Sequence, residues 1–305
     1  MRKKKIKTTD EILMGSSTSR KVFTVFNTIL MIAMTLMALV PLWYIVCMSF
    51  SSSNAVDAGK VTFWPVEFTL HSYEFIMQNK EFYHAFGVSV LRVILGVPIN
   101  LLMCVLMAYP LSKPESRFPG RKIYVWFFLI TMFFDAGIIP TFIVVKYTHL
   151  MNTIWALIVP GCVSVFNMMI LLNFFRDLPT ELEESALLDG AGHGTILFKI
   201  FVPLAKPAIA TLVLFSFVSQ WNSWMDGLMY INDSAKYPLQ TYLQGILTTP
   251  DLNTLTNAQL EMWASTSRRA TNAAQIVITT LPIMLVYPFL QKYFTTGLTM
   301  GSVKG

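Results

Sequence analysis

The sequence predicts an all-α polytopic membrane protein with six transmembrane helices. Three observations indicate this fold class: 54% of the 305 residues are hydrophobic, only 13% are charged, and the apolar residues are gathered in long runs. A soluble domain carries about a quarter of its residues as charged side chains. A membrane-spanning helix needs about 20 largely apolar residues, and six runs in this chain reach that length.

The boundaries of the predicted spans follow the ends of the apolar runs. The six spans are 22–48, 85–111, 123–145, 153–175, 207–231 and 274–294. Several of them contain proline, which membrane helices tolerate as kinks where neighbouring helices satisfy the freed carbonyl groups. We therefore expect a bundle of helices with bends.

The distribution of lysine and arginine sets the orientation. Six spans place both termini on one side of the membrane, and that side carries sixteen of these residues against six on the other. Positive charge is enriched in cytosolic loops, so both termini are expected to be cytosolic. The predicted organisation is a cytosolic arm at 1–21, a transmembrane domain at 22–294 and a cytosolic tail at 295–305. Extracytoplasmic loops are expected at about 49–84 and 232–272, and a long cytosolic loop at about 176–206.

The long cytosolic loop has the pattern of a helical hairpin. Thr180-x-x-Glu183 has the form of a capping box, which predicts the start of a helix. Gly190 predicts its end, because glycine readily adopts the left-handed conformation found just after many helices. A second short helix is expected over about 195–201, ending before Pro203.

This loop also resembles a known motif. Glu184-Ser185-Ala186-x3-Gly190-x9-Ile200-x-Val202-Pro203 is similar to the EAA loop of ABC importer permeases, whose pattern is E-A-A-x3-G-x9-I-x-L-P. Ser185 and Val202 are conservative departures from that pattern. The resemblance implies a type I ABC importer permease fold and a loop that contacts a separate ATPase. On this basis the expected ATPase-coupling residues are Glu184, Ser185, Ala186, Asp189, Gly190, Ala191, Ile200 and Pro203.

Further motifs along nearly the whole chain resemble the carbohydrate branch of these permeases. They include Leu150-Met-Asn-Thr-Ile-Trp-Ala, Trp221-Asn-Ser-Trp and the end Gly297-Leu-Thr-Met-Gly-Ser-Val-Lys-Gly305. Within that branch the chain is similar to the smaller subunit of the maltose permease and to LplC-type oligosaccharide permeases. The resemblance implies a multi-pass permease subunit of an ATP-driven, binding-protein-dependent oligosaccharide importer in a bacterial cell membrane.

The same resemblance implies the partners. They are a second homologous permease that completes a heterodimer, two ATPase subunits, and an extracytoplasmic solute-binding protein contacted by the loop at 232–272. The chain lacks the G-x-x-x-x-G-K-[ST] phosphate-binding pattern, so ATP and Mg are expected on the partner ATPase and no cofactor in this chain. No catalytic residue is expected. The three cysteines show no metal-ligand spacing, so no metal site is expected either. The basic residues lie in short loops beside apolar runs, which favours loop charge over nucleic-acid binding.

Charged residues inside membrane spans usually face a cavity or a partner. The candidate pathway residues of this kind are Arg92, Asp135 and Asp226. At 1.5 Å per residue, Arg92 and Asp226 fall at a similar depth near the outer leaflet. They are expected to pair or to line an outer vestibule together, and structural pairing and substrate contact both stay open.

Trp221, Asn222 and Trp224 form a second candidate group. Their two indole rings and one amide suit stacking and hydrogen bonding with a sugar, but the same residues are typical of an interfacial aromatic belt and helix packing. In the maltose relatives the larger subunit carries the sugar site, which favours the packing interpretation.

The alternative function is an ion-coupled secondary transporter. That class predicts inverted repeats, helices broken at the midplane and buried ionisable coupling sites. Asp135, near the middle of the third span, is its support in the sequence. It leaves the hairpin loop without a role.

Overall fold

The computed structural model describes residues 18–78, 80–248 and 267–300, and every regular element in these ranges is helical. In chain order the helices are α1 Thr18–Ser49, α2 Ser53–Asp57, α3 His71–Gln78, α4 Lys80–Ser112, α5 Arg121–Phe133, α6 Ile138–Tyr147, α7 Ile154–Ile158, α8 Val165–Arg176, α9 Thr180–Leu188, α10 His193–Leu204, α11 Lys206–Asn222, α12 Met225–Tyr230, α13 Leu239–Thr248 and α14 Arg268–Met300. The all-helical prediction is confirmed. Parts of three predicted segments lie outside the described residues: 1–17 of the arm at 1–21, 249–266 of the outer loop at 232–272, and 301–305 of the tail at 295–305.

Three helices are long and apolar enough to cross a bilayer unaided. Their qualifying stretches are Arg20–Ser49, Lys80–Ser112 and Arg268–Pro288. They coincide with the first, second and sixth predicted spans, so these three predictions are confirmed as continuous apolar helices.

The third predicted span, 123–145, is not one continuous helix. It consists of α5 and α6, which are bent by 113° at a break over residues 134–137. Gly137 takes a φ of 85°, which a helix does not use. Pro140 then falls in the first turn of α6, where its missing N–H has no intrahelical partner to lose.

The fourth predicted span is also interrupted, between α7 and α8. Pro160 and Gly161 lie in this break, and Ser164 starts the new helix because its hydroxyl accepts a hydrogen bond from the Asn167 N–H at 3.3 Å. α8 is a shorter apolar helix.

The fifth predicted span, 207–231, divides into α11 and α12 at Ser223–Trp224. α11 is also joined to α10 through a bend of 82° at Ala205. Counting each strongly bent pair as one crossing gives up to five candidate spans among the described residues.

The described residues fall into two compact units. One comprises 18–73 with 267–277, and the other comprises 74–248 with 278–300. In the first, Cys47, Ala55, Val56, Val61 and Ala270 form a small buried cluster, while the apolar length of α1 is exposed. Cys47 and Cys104 are buried and Cys162 is half-buried, all three as free thiols, which agrees with a packing role.

In the second unit α4 is the central element and packs chiefly against α8 and α11. The C-terminal part of α4 contributes Cys104, Val105, Ala108, Tyr109 and Leu111 to a buried apolar cluster. α8, α9, α10 and α11 supply the remaining members of that cluster, together with Ala205 in the bend between α10 and α11. The core of this unit therefore extends from the long apolar helices into the loop that carries the EAA-like motif.

Candidate functional site

Helices α9 and α10 form the predicted hairpin, and its start differs from the sequence expectation. Thr180 is the first residue of α9 and Pro179 occupies the cap, so the capping box predicted at Thr180-x-x-Glu183 is wrong. The Glu183 carboxylate instead lies 2.8 Å from Lys113 Nζ and 3.2 Å from Arg117 Nη1. The Glu183 carboxylate thus pairs with two cations from a neighbouring loop. In a capping box it would accept a hydrogen bond from the backbone N–H at the start of the helix.

The end of α9 agrees with the sequence expectation. Gly190 has a φ of 80°, and its N–H donates to the Leu187 carbonyl at 3.0 Å. The N–H of Ala191 donates to the Ala186 carbonyl at 2.9 Å. This pair of bonds is a Schellman motif, which closes a helix through a left-handed residue.

The second helix of the hairpin is longer than predicted. It begins at His193, contains a π-helical turn at Leu197–Phe201 and continues to Leu204. The expectation that it ends before Pro203 is wrong. The wider π turn changes the hydrogen-bond register just before the proline, so the helix passes through Pro203 without the usual conflict with the preceding turn.

The inner face of the hairpin is built into the core of the second unit. Ala186, Ile196, Leu197 and Phe201 are each less than 9% exposed and belong to the same buried cluster as residues of α4 and α8. Close-packed interiors are weakly compressible and transmit displacement. The hairpin and α4 therefore share one packed core.

A charged cluster fixes the hairpin to the end of α4. Lys113 Nζ lies 3.9 Å from the Tyr109 ring centroid and 4.1 Å from that of Phe201, in addition to its contact with Glu183. Burial lowers the pKa of Lys113, and the Glu183 carboxylate partly opposes that shift. Arg117 joins the same group through Glu183. Buried charges that are paired in this way are costly to separate.

The outer face of α9 is exposed and carries leucine side chains. Leu188 is 89% exposed, and Leu182 and Leu187 are each 40% exposed. Among the predicted coupling residues on this helix, Glu184 is exposed with its carboxylate 2.9 Å from Arg117 Nη2, and Ser185 is exposed with its hydroxyl bonded to the Glu181 carbonyl. Exposed apolar side chains grouped with polar ones are typical of protein-binding surfaces.

The other predicted coupling residues are divided between the two faces of the hairpin. Ala186 is buried, and Ala191 and Ile200 are half-buried. Asp189, Gly190 and Pro203 are exposed. The EAA-like motif thus supplies both the packing against the core and the outward surface.

Arg92 and Asp226 form an ion pair in the second unit. Arg92 is 3% exposed, and its guanidinium also donates to Gln220 Oε1 at 2.8 Å and to the Leu157 carbonyl at 3.1 Å. A further donor approaches the Ser223 carbonyl at 3.5 Å. The pair thereby holds together α4, the end of α7 and the break between α11 and α12.

The same break positions the aromatic group. Trp221 is 3% exposed, stacks on Phe217 with ring centroids 6.0 Å apart, and donates its Nε1–H to the Thr279 carbonyl at 2.9 Å. Asn222 and Trp224 are exposed, and Thr241 Oγ1 donates to the Trp224 carbonyl at 2.8 Å. The structure thus brings Asp226 and these three residues to one helix break, with Trp221 facing the packed side.

Asp135 lies apart from that group, in the break between α5 and α6. Its side chain is exposed and accepts a hydrogen bond from the Gly137 N–H at 3.0 Å. This local bond caps the bend between the two helices.

A polar cavity that sequence reasoning missed lies between α4, α8 and α11. Its volume is about 330 Å³, and two phenylalanine rings, Phe166 and Phe215, flank it. Its polar side chains are Asn100, Ser164, Asn167, Ser216, Ser219 and Gln220. The sequence did hold a signal, because positions 216, 219 and 220 have the three- and four-residue spacings that place side chains on one helix face.

Comparison with known proteins settles the family. Residues 12–299 match the family described as the inner membrane component of binding-protein-dependent transport systems. The chain belongs to this family. The match confirms the resemblance to ABC importer permeases and places the chain among multi-pass proteins of the cell membrane.

Two curated relatives of this permease come from Bacillus subtilis (strain 168). Protein LplC is 39% identical over 96% of this chain and 98% of its own length. The polygalacturonan/rhamnogalacturonan transport system permease protein YtcP is 37% identical over 92% of this chain and 97% of its own length.

The permease is also similar to a solved structure. The crystal structure of a bacterial ABC transporter involved in the import of the acidic polysaccharide alginate contains a chain with a TM-score of 0.83 and 33% identity, covering 92% of this chain and 99% of that one. This similarity confirms the type I ABC importer permease fold.

Proposed function

We propose that this permease imports carbohydrate, as one half of a translocation pathway completed by a second homologous permease. The support is the similarity to LplC and YtcP over nearly the full length of each, together with the likeness to a chain of the alginate importer. YtcP is named for polygalacturonan and rhamnogalacturonan transport, and the solved importer for the polysaccharide alginate. An oligosaccharide is the substrate class that fits this group.

We infer that the hairpin of α9 and α10 docks on a separate ATPase, which binds ATP and Mg, so that the permease itself is not catalytic. The observation that carries this inference is the two-faced construction of the hairpin. Its inner residues, such as Ala186 and Leu197, lie in the core, while Leu188 is 89% exposed on the opposite side. Such an arrangement suits a partner that acts on the long helices through the hairpin.

Leu188→Ser tests the docking. The leucine is exposed, so its loss leaves the fold intact but removes an apolar contact from the interface. We expect at least a ten-fold weaker association with the ATPase, equivalent to about 1.4 kcal/mol. The measurement is the amount of ATPase that co-purifies with the permease pair at several salt concentrations. Leu70→Ser, at another exposed leucine in the predicted extracytoplasmic loop, is the matched control.

Equal recovery of the ATPase with Leu188→Ser, with Leu70→Ser and with the unsubstituted chain would show that the outer face of α9 is not part of the interface. The hairpin would then need another role.

We further propose six membrane crossings with both termini in the cytosol. Sixteen Lys and Arg residues on the side of the termini against six on the other support this orientation. A fluorescent protein that folds only in the cytosol, fused after Gly305, should be bright. The same fusion placed at Gly59, an exposed turn in the predicted outer loop, should stay dark. A dark fusion after Gly305 with a bright fusion at Gly59 would show that the termini lie outside the cytosol.

The outer loop at about 232–272 is proposed to contact the solute-binding protein. In this topology it lies on the side of the membrane opposite the hairpin. Docking there and ATPase closure at the hairpin would bias a single equilibrium between inward- and outward-facing states.

We assign Arg92 and Asp226 to positioning the break between α11 and α12, since their charges neutralise each other. Asn222 and Trp224 are exposed beside that break and are proposed to line the pathway, with Asp135 at the second break. Trp221 is proposed to stabilise this region by packing.

The broken helices and the buried ion pair are features that the ion-coupled alternative also predicts. The family match over residues 12–299 decides against that class. The hairpin built into the core has a use in an ATP-driven importer and none in an ion-coupled one.

A further inference from the structure

The polar cavity between α4, α8 and α11 lies deep in the predicted membrane region. Asn100, in its wall, is twelve residues before the end of α4 at Ser112, which corresponds to about 18 Å along the helix. The hydrocarbon core of a bilayer is about 30 Å thick. The cavity therefore lies close to the middle of the membrane, where polar side chains are costly and usually mark a functional site.

The cavity wall presents hydrogen-bonding groups that the protein does not use. Ser216 is 5% exposed, and neither its hydroxyl nor that of Ser219 has a hydrogen-bond partner among the described residues. Asn167 uses its Nδ2 toward Asn100 Oδ1 at 3.4 Å, which leaves its carbonyl oxygen available. Gln220 accepts a bond from Arg92 through Oε1, which leaves its Nε2 available.

These free groups include both donors and acceptors. Hydroxyls donate and accept, an amide nitrogen donates and an amide oxygen accepts. A sugar ring carries hydroxyl groups that do both, so one ring satisfies several wall groups at once. Phe166 and Phe215, whose ring centroids are 6.3 Å apart, supply an apolar flank for the carbon face of such a ring. The volume of about 330 Å³ is at the lower end of the range of roughly 300–1,000 Å³ for ligand pockets.

The wall carries no charged side chain, and this favours some sugars over others. The residues that line the cavity include no lysine, arginine or carboxylate. The nearby Arg92 guanidinium is already paired with Asp226 and bonded to Gln220. A carboxylate that gave up water to contact this wall would gain no cation in exchange, which is unfavourable.

We propose that the polar cavity binds an uncharged sugar ring of the transported carbohydrate within this subunit. The proposal rests on the proposed carbohydrate function and adds both a site and a selectivity to it. Asn167, Ser216, Ser219 and Gln220 are the residues that contact the sugar hydroxyls. A uronic acid ring is disfavoured at this site.

The test uses the complete complex of both permeases and the ATPase in proteoliposomes with its binding protein. Uptake of neutral di- and trisaccharides and of trigalacturonate is measured first. Ser219→Cys then places a thiol in the cavity wall, in a chain whose half-buried Cys162 is replaced by serine. The rate of labelling by a small charged methanethiosulfonate reagent is measured with and without each sugar. Val218→Cys, the adjacent position on α11 outside the cavity, is the matched control.

We expect the imported neutral sugar to slow labelling of the Ser219→Cys thiol at least five-fold and to leave the Val218→Cys thiol unaffected. Trigalacturonate should protect neither. Ser219→Phe, which fills the cavity, should lower uptake at least ten-fold without loss of the ATPase from the complex, whereas Val218→Phe should not.

Several results would overturn the proposal. One is normal sugar import by Ser219→Phe, or labelling of the Ser219→Cys thiol that the imported sugar does not change. A thiol that never reacts indicates a cavity filled by lipid or by the partner permease and also overturns it. Equal protection by trigalacturonate removes the selectivity for uncharged rings. In all these cases ATP-driven import persists, so the proposed function stands. If the unsubstituted complex imports no carbohydrate, the proposed function fails instead.

Discussion

The pair Lys113–Glu183 shows at the scale of single residues how a loop beside a membrane is kept rigid. Both side chains are less than 10% exposed, and the ammonium group also lies against two aromatic rings. A charge in such surroundings is stable only while its partner is present. The outward surface of α9 thus depends on a residue that faces inward.

Glu183→Gln is expected to destabilise the hairpin by about 3 kcal/mol, because it leaves the Lys113 ammonium buried without its counter-charge. The measurement is thermal unfolding of the purified complex, with hydrogen exchange of α9 as the local readout. Glu181→Gln, an exposed acidic residue in the same turn, is the matched control and should change stability by less than about 0.5 kcal/mol.

The same variant has an expected pH dependence. Burial lowers the pKa of Lys113 in the folded chain below its ordinary value of 10.5. At a pH between the lowered pKa and 10.5, the unfolded chain binds the proton that the folded chain has released. Stability therefore rises with pH in that window. Without Glu183 the pKa falls further and the window widens toward neutral pH. Hydrogen exchange of α9 that is equal in Glu183→Gln and Glu181→Gln at every pH would show that the Lys113–Glu183 pair does not stabilise the hairpin.

At the scale of elements, helix breaks are where the sequence and the structure differ. Apolar runs located the spans well, because hydrocarbon thickness fixes their length. Pro140 and Pro160 indicated two of the breaks, since proline in a membrane helix predicts a bend. The break at Ser223–Trp224 contains no proline or glycine that would predict it. Its freed carbonyls accept hydrogen bonds from Arg92 and Thr241, which are distant in the chain. Bonds between distant residues cannot be read from local pattern.

Gly190→Ala tests the closure of α9. Gly190 has a φ of 80°, a conformation that costs an L-residue about 1–2 kcal/mol, so the substitution should loosen the hairpin and reduce ATPase recovery several-fold. Gly192→Ala is the matched control because Gly192 has a φ of −75° and open space where a Cβ would lie. Co-purification of the ATPase measures both. Equal loss in the two variants would mean that the Schellman motif is not the cause.

At the scale of the whole molecule, composition and the EAA-like spacing were sufficient for the fold class and the family. The anchoring role of Glu183 was missed because the capping-box pattern gave its carboxylate a different use. The polar cavity was missed because single amides and hydroxyls in apolar runs carry little signal until α4, α8 and α11 are packed together. Fold and family were thus accessible from sequence, whereas the arrangement of side chains at the sites was not.

The central claim is that carbohydrate import by this permease is driven by an ATPase docked on the hairpin. The most direct measurement is oligosaccharide uptake into proteoliposomes that contain both permeases and the ATPase, with the binding protein outside and ATP inside. We predict uptake that requires ATP, persists when ion gradients are collapsed, and falls at least ten-fold with Leu188→Ser. Uptake driven by an ion gradient without ATP, and unaffected by Leu188→Ser, would contradict the claim.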